Sequence, residues 1–443
     1  MASDTEKAFR APILHFTGKP DVRAGTGYEY LPDGVLLVAD GYVRALDSAD
    51  SMAEKGFELE QCEHFPDHLL MPGLVDTHIH YPQTDVIASY GKQLIDWLNQ
   101  YTYPTETGFS DAAHASEAAD DFLDLLLESG TTTAMVYTTI FSESVEAFFH
   151  AAQQRNLRMI AGRTLMDRNA PSGLLDSVAE GERESRELIE KWHGKDRLLY
   201  AVTPRFAATS SREQLEMAGR LYHEYNGLYM QTHLSENHGE ISWVKSLFPE
   251  AEDYLDVYDR YGLLGSKSVF GHGIHLSDRE LDRLSVTDSR IAFCPTSNLF
   301  LGSGLFNLSA AEKAGVSVGV ATDVGGGTSF SMIETLSEAY KVLQLQGQSL
   351  HPLEAFYRVT LGNARALHLE DCIGNLSVGK EADFILVDPG VSRIQRRRQG
   401  IAVTLEEQLF ALQMLGDERN IARTYVMGEV ANPKTFTAWK RSA

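Results

Sequence analysis

Strand-like runs alternate with helix-like runs through most of the chain, and this alternation limits the possible folds more than any other feature. Eight strand candidates occur from GLVDTHIH, which begins at Gly73, to VGVATD, which ends at Asp323, each followed by a helix or a helix-bearing loop. Such alternation favours a parallel sheet with right-handed crossovers, and eight units fit a closed barrel better than an open sheet. No GxGxxG follows the first strand, so a dinucleotide-binding fold is not indicated. The predicted fold class is α/β, with a (β/α)8 TIM-type barrel.

Both ends of the chain are rich in short strands and turns. APILHF and GVLLVAD lie near the start, GKEADFILVD and ARTYVMGEV lie near the end, and Gly, Asp and Pro separate such runs. We expect the two ends to join into one small composite β-sandwich domain beside the barrel. The predicted division is residues 1–71 for the N-terminal part of that domain, 72–374 for the barrel and 375–443 for the C-terminal part.

Local signals predict where some helices begin. Ser110 is placed to cap a helix with apolar residues at helical spacing, and Ser210 with Glu213 forms a capping-box pattern before another helix. The short basic run Arg396-Arg397-Arg398 is typical of a solvated loop.

Composition narrows the class of partner. The chain has 39 basic and 62 acidic side chains, and its net charge of −23 repels nucleic-acid phosphates and anionic lipid. We expect no nucleic-acid or membrane partner, since no run of about 18 apolar residues and no signal-peptide pattern is present. Cys62, Cys294 and Cys372 share no short spacing, which indicates neither a disulfide framework nor a CxxC metal site. The expected compartment is the reducing cytoplasm.

A histidine pair closes the first strand candidate. His78 and His80 are two residues apart, so their side chains point to the same face of a strand. The pair alone is a weak signal, because a chain with 15 histidines contains such pairs by chance. Neutral imidazole is nevertheless the commonest metal ligand, and barrel enzymes carry their sites at the carboxyl ends of the strands.

Three further groups stand at the carboxyl ends of other strand candidates. His233 follows the fifth, His272 and His275 follow the sixth, and Asp323 follows the eighth. Singly, each has an ordinary explanation, such as a buried histidine or a turn aspartate before a glycine-rich loop. Eight strands that converge on one barrel mouth would bring these ends together. Three imidazoles and a carboxylate suit a borderline divalent ion such as zinc, so the sequence predicts a mononuclear metal site.

The motifs around these residues resemble a known family. PGLVDTHIH, HLSE, GHGIH and ATDVGGG resemble the amidohydrolase superfamily, and specifically its guanine deaminase family. HYPQ after the metal pair, TPRF after the fourth strand and CPTSNLFLGSG after the seventh agree, and HYPQ together with TPRF is the most specific part of the match. The resemblance covers the whole chain, including the GKEADFILVD segment typical of the flanking β-domain.

The resemblance implies the cofactor and the catalytic groups. Glu236 would protonate the ring nitrogen beside the attacked carbon, and Asp323 would take the proton of a zinc-activated water and pass it to the leaving amine. His272 is either a further ligand or the donor that orients this water; the residues do not decide, and we expect the second. One Zn²⁺ per subunit would be held by His78, His80, His233 and Asp323.

The resemblance also implies the substrate, guanine, which this family of hydrolases converts to xanthine and ammonia in purine catabolism and salvage. Arg205 and Gln83 would donate to its six-oxo group, Phe206 would form an apolar ring wall, and His233 and Glu236 would complete the contacts. Against adenine, a buried Arg205 would be left unpaired, which disfavours that base. The family further implies a homodimer.

The residues leave several functions open. Two-metal hydrolases of the superfamily carry a modified lysine at the fourth strand, where this chain has Val202-Thr203-Pro204, so a one-metal deaminase is preferred to a cyclic-amide hydrolase. A sister deaminase acting on another ring and a non-catalytic metal-binding protein stay open as well. Trp97 is either a core residue or a cover over the substrate. Cys294 is expected to be a small buried hydrophobe rather than a nucleophile.

Overall fold

The computed structural model describes residues 6–91 and 93–431. In this part of the chain the strands are β1 (Lys7–Asp21), β2 (Thr26–Ala39), β3 (Tyr42–Ser48), β4 (Glu63–His64), β5 (Leu69–Pro72), β6 (Leu74–His80), β7 (Thr131–Tyr137), β8 (Arg158–Gly162), β9 (Thr164–Leu165), β10 (Leu198–Pro204), β11 (Tyr229–Leu234), β12 (Ser268–His272), β13 (Arg290–Phe293), β14 (Ser317–Val320), β15 (Phe384–Val387), β16 (Ile421–Val426) and β17 (Glu429–Val430).

The helices connect and cover these strands, and short 3-10 and π turns extend several of them. In chain order they are α1 (Ala49–Glu54), α2 (Leu94–Trp97), α3 (Tyr103–Thr107), α4 (Ala112–Glu128), α5 (Ser142–Gln154), α6 (Val178–Trp192), α7 (Arg212–Glu224), α8 (His238–Leu247), α9 (Tyr254–Arg260), α10 (Asp278–Val286), α11 (Pro295–Phe300), α12 (Leu308–Lys313), α13 (Met332–Leu345), α14 (Pro352–Tyr357), α15 (Asn363–Ala366), α16 (Arg393–Gln399) and α17 (Leu405–Leu415). Among the described residues, none of these helices has the length and apolar content needed to cross a membrane.

Eight parallel strands form the barrel. Their order by hydrogen-bonded neighbours is β6-β7-β8-β10-β11-β12-β13-β14, and the short β9 adds to β10. Every residue of β6 and of β7 is buried, as expected for strands with side chains packed inside the barrel and helices outside it. The predicted (β/α)8 barrel is therefore confirmed.

A second sheet is built from both chain ends. Its strands run in the order β17-β16-β15-β5-β1-β2-β3, and β4 pairs with β1. β5 from the start of the chain lies between β1, to which it is parallel, and β15 from the end of the chain, to which it is antiparallel. This confirms the predicted β-domain made from both ends. Residues 1–5 and 432–443 of those ends lie outside the described residues.

Buried ion pairs attach the second sheet to the barrel. Arg197 donates to Glu381 at 2.7 Å and to Asp383, and Arg158 donates to Glu381 at 2.8 Å through Nε. Arg158 begins β8 and Arg197 directly precedes β10, while the two carboxylates precede β15. The attachment is thus at the amino ends of barrel strands, opposite the end at which His80 lies.

Polar contacts close the barrel between its first and eighth strands. The side-chain nitrogen of Asn363 donates to the carbonyls of Val75 in β6 and Val320 in β14, at 2.6 and 2.7 Å, and its oxygen accepts from the Val320 amide at 2.8 Å. Farther along, Asp323 N donates to His78 O at 3.0 Å. These contacts place the segment after β14 directly beside the end of β6.

Three local predictions are wrong. α4 is capped by the side chain of Asp111 rather than Ser110, and α7 by Ser211 rather than Ser210. In each case the next residue also has a capping side chain, and Ser110 instead ends a 3-10 turn. The basic run at 396–398 lies in α16, whose first turn is fixed by a capping box at Ser392, and not in a loop.

Replacing Asn363 by alanine should lower stability, because two buried carbonyls and one buried amide lose their partner. We expect a loss of about 2–4 kcal/mol in the free energy of unfolding, measured as a shift of the denaturant midpoint. Asn226→Ala at an exposed position is the control and should stay within about 0.5 kcal/mol of the unmodified protein. Equal denaturant midpoints for the two variants would contradict the role of Asn363 in closing the barrel between β6 and β14.

Candidate active site

The carboxyl ends of four barrel strands meet at one point of the barrel mouth. β6 ends with His78 and His80, β11 carries His233, β12 ends with His272, and Asp323 lies three residues beyond β14. These are the first, fifth, sixth and eighth strands of the barrel. The structure thus brings together the groups that the sequence placed at separate strand ends.

The inner atoms of four of these residues have the spacing of a metal site. The Nε2 atoms of His78 and His80 are 3.3 Å apart, as are those of His80 and His233, and Asp323 Oδ1 is 3.3 Å from both His78 Nε2 and His80 Nε2. Tetrahedral coordination with metal–nitrogen bonds of about 2.0–2.1 Å separates neighbouring ligand atoms by about 3.3–3.4 Å. The donor set and its spacing therefore fit a small divalent ion such as zinc.

The outer nitrogens of two histidines are held by hydrogen bonds. His233 Nδ1 lies 2.6 Å from the Arg205 carbonyl, and His272 Nδ1 lies 2.9 Å from Asn298 Oδ1, so each Nδ1–H donates and each Nε2 keeps its lone pair. Burial lowers the pKa of His80 to about 3 and, with the charges of neighbouring histidines, lowers that of His233 well below its usual value. Neutral imidazoles with inward lone pairs are the form that binds metal.

Unusual backbone conformations help to aim these side chains. His272 and Asp323 have φ angles of 70° and 52°, a left-handed region that is costly for residues other than glycine. Gly271 leaves room for the imidazole ring of His78, because a Cβ atom at position 271 would lie 2.7 Å from that ring. Gly325 is similarly confined, since a Cβ would lie 2.4 Å from the Gln83 carbonyl oxygen. The glycines of GHGIH and DVGGG are thus required by close packing around the site.

Glu236 lies on the side of this cluster that faces His272. Its Oε2 is 3.4 Å from His272 Nε2, and its Oε1 accepts a hydrogen bond from the Ser303 hydroxyl at 2.9 Å. His272 Nε2 is also 3.7 Å from Asp323 Oδ2, the carboxylate oxygen not directed at His78 and His80. Burial and the charge of Asp323 raise the pKa of Glu236 to about 8. At neutral pH this carboxyl group therefore carries a proton that it can donate.

Asp323 has the opposite electrostatic environment. Burial alone would raise its pKa, but hydrogen bonds and charge at His78, together with His80 and His272, lower the pKa well below its usual value. The site thus combines an ionised carboxylate with a protonated one. Such a pair suits one group to bind a metal or accept a proton and the other to donate one.

A pocket opens beside the cluster. Trp97 in α2 is buried in a hydrophobic cluster and also lines the pocket, so its position fits both the core and the cover interpretation. Phe206 supplies a further apolar surface. The lining residues are His80, Gln83, Leu94, Trp97, Leu98, Arg205, Phe206, His233, Glu236, Glu240, His272, Leu301, Asp323 and Gly326.

Arg205 and Gln83 share a buried carboxylate that the sequence did not single out. Arg205 Nη1 donates to both oxygens of Glu106, at 2.8 and 2.7 Å, and Gln83 Nε2 donates to Glu106 Oε1 at 3.1 Å. Arg205 therefore has a partner whatever base is bound. The expectation that adenine would leave this guanidinium unpaired does not hold.

Sequence reasoning also missed contacts made by residues in recognised motifs. Asn298 and Ser303 both lie in CPTSNLFLGSG, and that motif was the available signal for their contacts with His272 and Glu236. His275 is outside the cluster and donates through Nε2 to the Ser303 carbonyl at 2.8 Å.

Buried Cys294 lies near the metal ligands, and burial raises its pKa well above the usual value, which agrees with an unreactive thiol.

Comparison with known proteins gives a consistent result. The amidohydrolase family matches residues 69–431. The guanine deaminase of Escherichia coli (strain K12) is 49% identical over 428 residues, which cover 96% of this chain and 98% of that protein. A solved structure of E. coli guanine deaminase has a TM-score of 0.93 and 48% identity, covering 96% of this chain and 99% of that one.

A second solved structure extends the comparison to a bound ligand. The guanine deaminase from C. acetobutylicum, described with bound guanine in the active site, has a TM-score of 0.86 and 26% identity. The match covers 96% of this chain and 100% of that one.

The spacing of the cluster predicts which histidines hold a metal. His80→Ala removes an atom 3.3 Å from three others of the set and should weaken metal affinity at least about tenfold. His275→Ala, which alters a histidine of the GHGIH motif outside the cluster, should keep its metal. Metal content after dialysis against a graded chelator measures both. Equal metal loss in the two variants would contradict this assignment.

Proposed function

The chain belongs to the amidohydrolase family, and within it to the guanine deaminases, and from this membership we propose that it hydrolyses guanine to xanthine and ammonia. The observation that carries the proposal is a set of imidazole nitrogens and a carboxylate oxygen at 3.3 Å spacings, beside a pocket that Arg205 and Gln83 also line. Family membership supports hydrolytic deamination as the reaction. The side-chain N–H groups of Arg205 and Gln83 support a carbonyl-bearing base as the substrate.

We propose one zinc ion per subunit, held by His78, His80, His233 and Asp323. Zinc bound there would lower the pKa of water, so that hydroxide is available near neutral pH. The absence of lysine from β10 supports a one-metal site, since the described strand ends in Val202-Thr203-Pro204. The hydrogen bond from His233 to the Arg205 carbonyl would hold this ligand in place, and the bond from His272 to Asn298 would hold the imidazole beside the ligand set.

Asp323 and His272 would handle the attacking water. Asp323 Oδ2, 3.7 Å from His272 Nε2, is the free carboxylate oxygen and would accept the proton that the water loses. His272 would orient the water as a hydrogen-bond acceptor rather than as the expected donor, because its Nδ1–H donates to Asn298 and its Nε2 keeps a lone pair. This Nε2 lies toward Asp323 Oδ2 and Glu236 rather than within the 3.3 Å set of ligand atoms. The accepted proton would then pass to the departing amine, which leaves as ammonia.

Glu236 would act first as a proton donor. Its carboxyl group is protonated at neutral pH, and the Ser303 hydroxyl donates to Oε1, which leaves Oε2 to carry the proton. Transfer to the ring nitrogen beside C2 makes that carbon more electrophilic as water adds to it. Loss of the two-amino group from C2, with the proton of the added hydroxyl returning to the ionised Glu236, then gives xanthine and restores the acid.

Recognition would divide between a polar edge and an apolar face. Arg205 and Gln83 would donate to the six-oxo group of guanine, and Phe206 would pack against the flat ring. Arg205 uses only Nη1 to bond Glu106, so its other nitrogens are the ones that would reach the base. His233 and Glu236 would contact the ring edge nearest the metal.

The remaining expectations concern the setting of the reaction. We propose that the protein acts in purine catabolism or salvage, in the cytoplasm and as a homodimer. The three cysteines are free, which is compatible with a reducing compartment. The acidic net charge of −23 supports a small-molecule substrate rather than nucleic acid or a membrane surface.

The direct test is ammonia release from zinc-loaded protein offered guanine, 8-oxoguanine, adenine, cytosine and a pterin in parallel. We expect turnover mainly with guanine, and xanthine as the product identified by its absorbance. Activity confined to another ring would keep the metal and the deamination but overturn the substrate. No ammonia from any ring, with metal bound, would overturn the enzymatic function.

Glu236→Gln should keep metal but lose most activity, because it removes a proton donor without removing a ligand. We expect kcat to fall by about 10²–10⁴-fold at unchanged metal content. Glu280→Gln is the matched control, since Glu280 is also buried, closes a capping box and lies outside the pocket. A Glu236→Gln protein without metal, or with normal kcat, would show that the assigned role is wrong.

A further inference from the structure

Glu106 is a buried carboxylate that the proposed reaction does not use. It lies in α3, within the part of the chain that leaves the barrel after β6 and returns at α4, and its side chain is 1% exposed. A carboxylate so far from solvent persists only when its oxygens are bonded to donors. The donors bonded to Glu106 belong to the two residues that would read the six-oxo group.

The geometry fixes both of these donors. Glu106 accepts two bonds from Arg205 Nη1 and one from Gln83 Nε2, while Gln83 Oε1 accepts from the Gly325 amide at 3.3 Å. The Gln83 amide is thus held at both ends, with its nitrogen on the Glu106 side. Tyr103, one turn before Glu106, packs its ring 5.3 Å from the Arg205 guanidinium carbon. α3 therefore holds Arg205 by charge and by aromatic contact.

These bonds also set the polarity of the pocket. Glu106 accepts three bonds from Arg205 and Gln83 and lies behind them, outside the set of residues that line the pocket, so this side of the pocket presents the N–H groups of Arg205 and Gln83 rather than the carboxylate. A ring oxygen can accept from such a wall, whereas a ring amine cannot donate to it. A charged arginine could not present those donors from a buried position without a paired anion.

We propose that Glu106 is a positioning residue that makes the pocket selective for a purine with an oxygen at position six, by holding Arg205 and Gln83 as donors. The inference rests on the proposed guanine deamination. It adds a residue to recognition that lies in neither HYPQ nor TPRF. It also gives a different reason for the rejection of adenine. Arg205 stays paired with Glu106, and the six-amino group of adenine finds no hydrogen-bond acceptor among the described residues on this side of the pocket.

The test compares guanine with 2-aminopurine, which keeps the two-amino group and the purine ring but lacks the six-oxo group and the N1 proton. Glu106→Gln keeps the size of the side chain, removes its charge and replaces one acceptor oxygen by a donor. We expect KM for guanine to rise at least about tenfold while kcat falls less than about threefold. The apparent inhibition constant of 2-aminopurine should change by less than about threefold, because that base makes no contact with the positioned donors.

Two further variants separate positioning from folding. Asp176→Asn breaks another buried pair, with Arg163 and outside the pocket, and should leave KM for guanine and metal content unchanged. Glu106→Asp keeps the charge and should raise KM for guanine by less than Glu106→Gln does. If Glu106→Gln fails to fold, the KM of the Glu106→Asp variant for guanine still tests the role of Glu106.

The outcomes distinguish this inference from the function on which it rests. An active unmodified protein whose Glu106→Gln variant loses affinity for both bases equally, or for neither, overturns the role of Glu106 alone. Metal-loaded unmodified protein that releases no ammonia from guanine overturns the proposed function and this specificity role together. A rise in KM for guanine alone, at constant metal content, supports both.

Discussion

Closure of the barrel between β6 and β14 is the constraint on which the site depends. His78 and His80 end the first strand and Asp323 follows the last, so they are far apart in the chain and become neighbours only when the eighth strand returns to the first. Asn363 bridges the two strands, and Asp323 N donates to His78 O. The same closure that completes the fold therefore completes the set of ligand atoms.

The chemistry then follows from how charge is arranged in a buried space. Buried imidazoles stay neutral and can bind metal, Asp323 stays ionised among them, and Glu236, facing that charge, holds a proton. Arg205, which also lines the pocket, can be buried because Glu106 neutralises it. Each group has the ionisation state that its role needs because of its neighbours, since the side-chain types alone do not determine it.

The sequence predicted the features that repeat or follow a fixed spacing. Strand–helix alternation was enough for the barrel, and the position of polar groups at strand ends was enough to anticipate that His78, His80, His233 and Asp323 would meet. The same argument also included His275, which lies outside the cluster, and the family resemblance was needed to name the four ligands. Glu106 could not be found in this way. It lies in α3, in the segment of short helices and turns between β6 and α4, and 99 positions separate it from Arg205 in the chain. Helix starts failed by one residue where two adjacent side chains could both cap, as at Ser110 and Asp111.

The most direct test of the proposed mechanism is a crystal structure of the zinc-loaded Glu236→Gln protein with guanine bound. The mechanism predicts a single zinc, C2 of the base turned toward it, and the six-oxo group within hydrogen-bond distance of Arg205 or Gln83. The ligands expected for the single zinc are His78, His80, His233 and Asp323. A second zinc at the barrel mouth, or a base turned so that its six-oxo group faces the metal, would contradict the mechanism.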